Sequence, residues 1–313
     1  MRLLITGGAG FIGSNLARFI QANRSGYEVI VLDNLSTGSI ENLAGVDVEF
    51  VEGSLLNAGL VASLVERVDS VIHLGAIPSV PRSIADPMSS HHVNTTGTLN
   101  VLEAARRNGT HVVLASSSSV YGSNPKLPKN ELDWTRPLSP YAVSKLATEA
   151  YALAYQSSYG VPTLPFRFFN VFGPGQSSAH AYAAVVPAFL DAALHGRPLP
   201  VNGDGRQSRD FTFVGTVAAV LLRAAERRET SLQPVNLAFG TNTTLLALIA
   251  EIESILGEPL AIEYHNDRIG DVRASQADST EVRKMFDEID PVSLRDGIEQ
   301  TLAWFRSRGI TAA

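Results

Sequence analysis

Tyr141 and Lys145, in the run Tyr141-Ala142-Val143-Ser144-Lys145, set a phenol four residues before an ammonium. Pro140 precedes the pair and the stretch to Tyr159 reads as a long helix, so both side chains lie over one face. A free phenol ionises near pH 10 and is a poor base at neutral pH; a neighbouring ammonium and a positive nicotinamide ring favour the phenolate and lower that value. Tyr141 is then a candidate general base and acid. The spacing alone is common on structural helices, and its surroundings give it weight. Ser116-Ser117-Ser118-Ser119-Val120-Tyr121-Gly122 closes a predicted strand, where hydroxyls can meet Tyr141.

A second constellation stands near the start. Thr6-Gly7-Gly8-Ala9-Gly10-Phe11-Ile12-Gly13 follows a predicted strand and opens a predicted helix, the context that raises a glycine motif above an ordinary turn. Glycines allow a tight turn and close approach of a pyrophosphate to the helix amino terminus. Asp33 ends the second predicted strand about 20 residues on, where a carboxylate accepts hydrogen bonds from an adenosine ribose and repels a 2′-phosphate, which favours NAD over NADP.

The elements that must hold these residues follow from apolar patterning. Leu3 to Thr6, Val29 to Leu32, Val48 to Val51, Ser70 to Leu74, Val112 to Ser116 and Phe166 to Phe169 read as strands. Phe11 to Ala22, Ala58 to Arg67 and Val93 to Arg107 alternate with them as helices, which predicts an α/β fold: a Rossmann-type doubly wound parallel sheet with ligands at the carboxyl ends of its strands. Beyond residue 170 glycine and proline punctuation replaces the alternation. Helices expected over Ala183 to Leu194, Thr216 to Arg228, Leu245 to Leu256 and Leu294 to Arg308 fit a smaller α/β substrate-binding lobe. The NAD-binding domain is expected over 1–170 with a returning segment near 207–240, and the lobe over 171–206 and 241–313.

Composition narrows the function. The 313 residues carry a formal charge of -6, which argues against nucleic acid as partner, since phosphate contacts need a basic surface. An anionic ligand must be gripped locally. There is no cysteine, so disulfide and thiolate chemistry are excluded, compatible with a reducing cytoplasm. The apolar opening Leu3 to Ile5 is too short for a signal-peptide core and no apolar run approaches a membrane span, so a cytoplasmic protein starting at Met1 is expected. Adjacent His91 and His92 lack metal-ligand spacing, and no metal is expected.

With these motifs in place, the chain resembles the extended short-chain dehydrogenase/reductases, specifically the NAD-dependent UDP-sugar 4-epimerases, over essentially its whole length. The resemblance makes Ser117 the catalytic serine beside Tyr141 and Lys145. It implies NAD contacts from Gly7, Gly10, Phe11, Ile12 and Gly13, from Asp33, Asn34, Ser36, Thr37 and Gly38, and from Ser54 and Leu55. Leu74, Gly75, Ala76 and Phe168 complete that set with Tyr141 and Lys145. Two departures stand out: Ser54 replaces the usual adenine-contacting Asp, and Gly75 replaces a common Ala, a change small enough to leave the backbone path intact.

For substrate, the resemblance places Asn170, in Arg167-Phe168-Phe169-Asn170-Val171-Phe172-Gly173-Pro174, against a diphosphate. Arg209 and Arg268 would grip phosphate through guanidinium forks and Asp271 the ribose. Ser79, Val80, Ser117, Ser118 and Tyr141 would meet the sugar, with Val185, Val186 and Val201 further along. Ser275 aligns where a bulky Tyr restricts the pocket to glucose and galactose, so serine implies room for an N-acetyl group. UDP-GlcNAc/UDP-GalNAc interconversion is therefore expected, with UDP-Glc/UDP-Gal activity beside it. Related 4,6-dehydratases carry an acidic pair where this chain has serines, while uronate 4-epimerases and uronic-acid decarboxylases share more of the pattern. A catalytically silent NAD-binding sensor is the non-enzyme alternative, against which intact Ser117, Tyr141 and Lys145 count. Helices Val93 to Arg107 and Tyr141 to Tyr159 resemble those that pair into a dimer interface, so a homodimer is expected.

Overall fold

The computed structural model describes residues 1–178, 184–266 and 273–308. Six of its strands follow in chain order: β1 (Arg2–Thr6), β2 (Glu28–Asp33), β3 (Glu49–Glu52), β4 (Ser70–His73), β5 (His111–Ser117) and β6 (Thr163–Phe168). With Val235–Leu237 they form a seven-stranded parallel sheet, ordered from that last strand through β6, β5, β4, β1, β2 to β3. The winding reverses between β1 and β4, and a crevice at such a reversal is where a doubly wound sheet takes its ligand. The strands read as continuous apolar runs because helices cover them. Leu4, Ile30, Leu32, Val61, Leu64, Val71, Val101, Val112, Leu114 and Ala152 make one buried cluster between the sheet and the helices Ala58–Val65, Gly97–Asn108 and Pro140–Tyr159.

The last of these helices has clear boundary chemistry. Ser139 caps it by accepting from the Ala142 amide at 3.2 Å, Pro140 occupies the first turn, and Gly160 ends it in the left-handed conformation. Its buried face is polar, with Ser144, Lys145, Thr148 and Glu149 inside, while Val143, Tyr151 and Tyr159 are exposed. The helix expected over Val93 to Arg107 forms as Gly97–Asn108, preceded by a π-helical turn at His92–Thr96.

The chain divides into two compact units. The first comprises Met1–Asn124, Glu131–Phe168 and Ala218–Leu237; the second Pro125–Asn130, Phe169–Val217 and Ala238–Ala313. The returning segment is thus 218–237, narrower than the 207–240 expected. The second unit contains the helices Val185–Leu194, Leu245–Leu256 and Leu294–Ser307, with paired short strands that the sequence did not announce. Phe172 stacks edge-on against Phe211 and Phe213, with Gly297 pressed on its ring. Buried Asp210 pins three segments of this unit: it accepts from the Gly240 amide, the Thr241 hydroxyl and the Ala277 amide, at 3.1, 2.9 and 3.0 Å. Among the described residues no helix is long and apolar enough to cross a membrane.

One tie sits at the amino ends of the strands, away from any candidate chemistry. Buried His111 bonds through Nδ1 to the Ser70 hydroxyl at 2.9 Å and through Nε2 to the Glu229 carbonyl at 2.7 Å. The carbonyl can only accept, so Nε2 carries the proton and Nδ1 accepts. Burial lowers its pKa to about 4 from an ordinary 6.5. Below pH 6.5 the unfolded chain takes up a proton that the folded one refuses, so this contribution to stability is complete above pH 6.5 and declines as pH falls toward 4. Chemical denaturation at pH 7, 6 and 5 should show a loss from this residue that steepens below pH 6.5 toward a limit of about 1.4 kcal/mol per pH unit, and His111→Gln should flatten that slope.

Candidate active site

The glycine turn leads from β1 into the helix Phe11–Asn23. Gly7, at φ +70°, has the Cα of Gly75 only 2.7 Å from where a Cβ would stand. Gly13 is likewise crowded by the Gly7 carbonyl. Gly10 differs. Its φ is an ordinary -79° and a Cβ there would meet only the Gly7 oxygen, at 3.2 Å, so packing alone gives little reason for the missing side chain. Gly10 is also the helix N-cap without a side-chain cap, and Phe11 and Ile12 beside it are partly exposed. A partly exposed, uncapped helix start that a Cβ would fill fits a pyrophosphate.

Asp33 ends β2 with its carboxylate accepting from the Ala9 amide at 3.0 Å and the Leu35 amide at 2.8 Å. It ties the glycine turn to the Asn34-Leu35-Ser36-Thr37 loop, and Gly38 packs against the Ala9 carbonyl. Asn34, Ser36 and Thr37 are exposed. The Ser54 hydroxyl accepts from the Leu56 amide at 3.1 Å, a local turn bond. Gly75 has a cause of its own: an added Cβ would lie 2.7 Å from Leu55 Cδ1, so alanine there would displace Leu55. Leu55 Cδ1 is the far end of a flexible side chain, so the displacement is a side-chain shift.

Sequence reasoning missed a buried polar chain beneath this edge. The Gly75 amide donates to Thr6 Oγ1 at 3.1 Å, Thr6 Oγ1 meets His73 Nδ1 at 2.7 Å, His73 Nε2 meets Thr98 Oγ1 at 3.0 Å, and the Thr98 hydroxyl donates to the Asn94 carbonyl at 2.5 Å. Since Thr98 spends its proton on a carbonyl, it must accept from Nε2–H, and Nδ1 must accept from Thr6. His73 is thus neutral with its proton on Nε2, and burial, aided by the Lys145 charge, depresses its pKa to about 3. Asn94 extends the chain: Oδ1 accepts from the Ile77 amide at 2.7 Å, and Nδ2 donates to Ser144 Oγ at 2.9 Å. The Ser144 hydroxyl donates to the Tyr141 carbonyl at 2.8 Å. A lone histidine ending an apolar strand was the available signal.

Ser117 closes β5 beside its sheet partner Phe168. Ser117 Oγ accepts from both the amide and the hydroxyl of Ser119, at 3.2 and 2.9 Å, which occupies its lone pairs and leaves its proton to give. Ser118 begins the short helical turn Ser118–Tyr121. Hydrogen bonding from Ser117 favours the Tyr141 phenolate, but burial outweighs it and pushes the phenol above its ordinary value. The lowering expected from the sequence combined the ammonium with a bound nicotinamide ring; in the protein by itself, burial sets the direction. The Lys145 ammonium donates to the Ala115 carbonyl at 2.9 Å and is itself pushed down to about 8 by burial. The protein alone therefore poises the ammonium rather than the phenol.

Ser79 is in a strained backbone, φ +105°, ahead of the helix Val80–Ala85; such strain clusters at ligand sites. The second unit holds a cavity of about 290 Å³ lined by Asn170, Val185, Val186, Asn202, Gln207 and Arg209 among others. The helix starting at Val185 has no side-chain cap, so its first amides, the Arg209 guanidinium and the Asn170 amide form a set suited to an anion. Val201 is not among the lining residues: fully buried on Leu199–Asn202, it faces the core, while its neighbours Pro200 and Asn202 line the cavity. Ser275 donates its amide to the Ser208 carbonyl at 3.1 Å, next to Arg209. Arg268 and Asp271 lie outside the described residues.

Gly10→Ala separates packing from ligand approach. The unliganded protein should melt within a few degrees of the parent, because only one carbonyl lies near the new methyl. Affinity for NAD, followed by calorimetric titration, should fall tenfold or more; unchanged affinity would remove Gly10 from the cradle.

Comparison with known proteins agrees with this geometry. Residues 3–238 match the model of the NAD dependent epimerase/dehydratase family. The chain is 38% identical to the UDP-glucose 4-epimerase of Mycolicibacterium smegmatis, covering 98% of this chain and 99% of that one. A solved UDP-N-acetylglucosamine 4-epimerase from Methanobrevibacter ruminantium, in complex with UDP-N-acetylmuramic acid, superposes with a TM-score of 0.92 at 34% identity and 98% coverage of both chains. A UDP-glucose 4-epimerase with UDP-glucose from Thermotoga maritima gives 0.90 at 34% identity, covering 98% of this chain and 99% of that one. Matched by that family model over its sheet and both catalytic motifs, this chain is an enzyme of the NAD dependent epimerase/dehydratase family.

Proposed function

We propose that the protein reversibly inverts carbon 4 of a UDP-hexose. The observation that carries this reading is the Ser117 hydroxyl, its lone pairs taken by Ser119 and its hydrogen bonding favouring the Tyr141 phenolate, with no carboxylate in Ser117-Ser118-Ser119 to expel water from a neighbouring carbon. NAD held at the glycine turn would supply hydride-transfer chemistry and a positive ring. Tyr141 takes the proton of the sugar 4-hydroxyl as a 4-keto sugar forms, and Ser117 donates to the oxygen that changes charge. Lys145 holds positive charge near the phenol. When the ketone has turned, so that hydride would reach the other face of carbon 4, Tyr141 gives the proton back to the carbon-4 oxygen.

Asn170, Arg209 and the open helix start at Val185 are assigned to the diphosphate, with Arg268 and Asp271 expected to join them. Ser275 supports a preference for N-acetylated hexoses over plain ones, since serine leaves room where tyrosine would not. The exposed Val143, Tyr151 and Tyr159 support a homodimer built on the helix that carries Tyr141.

Purified protein mixed with UDP-GlcNAc, without added NAD, should give the 4-epimer in the anomeric NMR signals. A dehydrated keto sugar or an unchanged spectrum would refute the proposal. Tyr141→Phe should lower kcat by about 10²-fold or more while bound NAD is retained. Ser275→Tyr should suppress the N-acetylated reaction more than the plain one, and equal loss of both would sink the gatekeeper assignment.

A further inference from the structure

We propose that Ser116, Glu149 and Arg167 are positioning residues for the proton-transfer pair, an inference that rests on the epimerase reading above. Glu149 lies one helical turn beyond Lys145 and two beyond Tyr141. Its carboxylate accepts from Arg167 Nη2 at 2.6 Å and Nε at 3.0 Å, and from the Ser116 hydroxyl at 2.7 Å. Ser116 Oγ also lies 3.2 Å from the Lys145 carbonyl. Both charged side chains are only 4% exposed. Arg167 further donates to the Glu131 carbonyl at 3.2 Å, and its guanidinium stands 4.7 Å from the centre of the Tyr121 ring.

Stability is a poor account of this arrangement, because a buried ion pair seldom outperforms apolar side chains of similar volume. Its geometry serves alignment. Ser116 and Arg167 are partners across β5 and β6, as are Ser117 and Phe168. Side chains alternate along a strand, so clamping Ser116 onto the catalytic helix from one side fixes the aim of Ser117 on the other. The two opposite charges also offset one another beside Lys145, whose pKa burial lowers to about 8. A lone carboxylate one turn away would hold that ammonium protonated more firmly.

Ser116→Ala tests the clamp while sparing the ion pair. In the NAD-bound enzyme, kcat should fall about tenfold with KM for the UDP-sugar unchanged, as expected when only alignment of the reacting groups is lost. Tyr141 should also become harder to ionise: its phenolate absorbance, isolated by subtracting a Tyr141→Phe background, should titrate about half a unit or more higher. An unchanged kcat and titration would overturn the proposal. So would a kcat loss that merely follows a lower melting temperature with the phenol titrating as before. The titration needs no substrate, so parent enzyme inactive on every UDP-hexose would refute the epimerase reading while the clamp is judged separately.

Discussion

The first unit depends on hydrogen bonds that carry the backbone of one ligand-facing loop to another through buried side chains. Thr6 and His73 end neighbouring strands, β1 and β4, where the winding of the sheet reverses. The reversal opens a crevice, and without further support its two lips would be loose. The run from the Gly75 amide through Thr6, His73 and Thr98 to Asn94 fastens them, and Asn94 passes the constraint to the catalytic helix through Ser144. The glycine turn and the Tyr141 helix are thereby registered against each other through buried side chains. Such a buried network is costly unless every member is satisfied, and here each has its partner.

The sheet was legible because parallel strands covered on both faces appear as short apolar runs, and all six expected strands formed within a few residues of their predicted bounds. The Tyr141 helix was legible through its proline, its terminal glycine and its length. Its orientation was not. The helix buries Ser144, Lys145, Thr148 and Glu149 and exposes Val143, which inverts the rule that apolar residues face inward. Glu149 therefore gave no signal in the sequence, and Ser116 and Arg167 stood only as members of their segments. Val201 was misjudged for a related reason: strand alternation decides which neighbour lines a cavity, and a strand of four residues, Leu199–Asn202, is too short to fix its phase from sequence. The burial that raises the phenol in the protein by itself was not legible, because proximity to a charge is visible in a helical spacing and burial is not.

The second unit is organised around a different device. Asp210 bonds to Gly240 and Thr241 and to Ala277, two points remote in sequence, and it adjoins Arg209 in the chain. Its own carbonyl accepts from Asn170 Nδ2 at 3.3 Å. Burial pushes this carboxyl upward in pKa, against the lowering effect of the donors around it. A buried acid at the hub makes the cavity wall a product of directional bonds as well as apolar packing, while the Phe172, Phe211 and Phe213 rings supply the bulk behind it.

The tautomer of His73 has a consequence for acid and base chemistry at this edge. Because Thr98 gives its proton to a carbonyl, each donor upstream must point the same way, and the small dipoles of the chain add head to tail. No member can surrender a proton to a visiting molecule without leaving the next acceptor bare in a dry interior. The sequence offers many hydroxyls and an imidazole near the crevice, yet in this run they are insulated from the reaction as a current-carrying wire is from its sheath. In the proposed reaction, proton traffic is left to Ser117 and Tyr141, whose hydrogens are not pledged to that line.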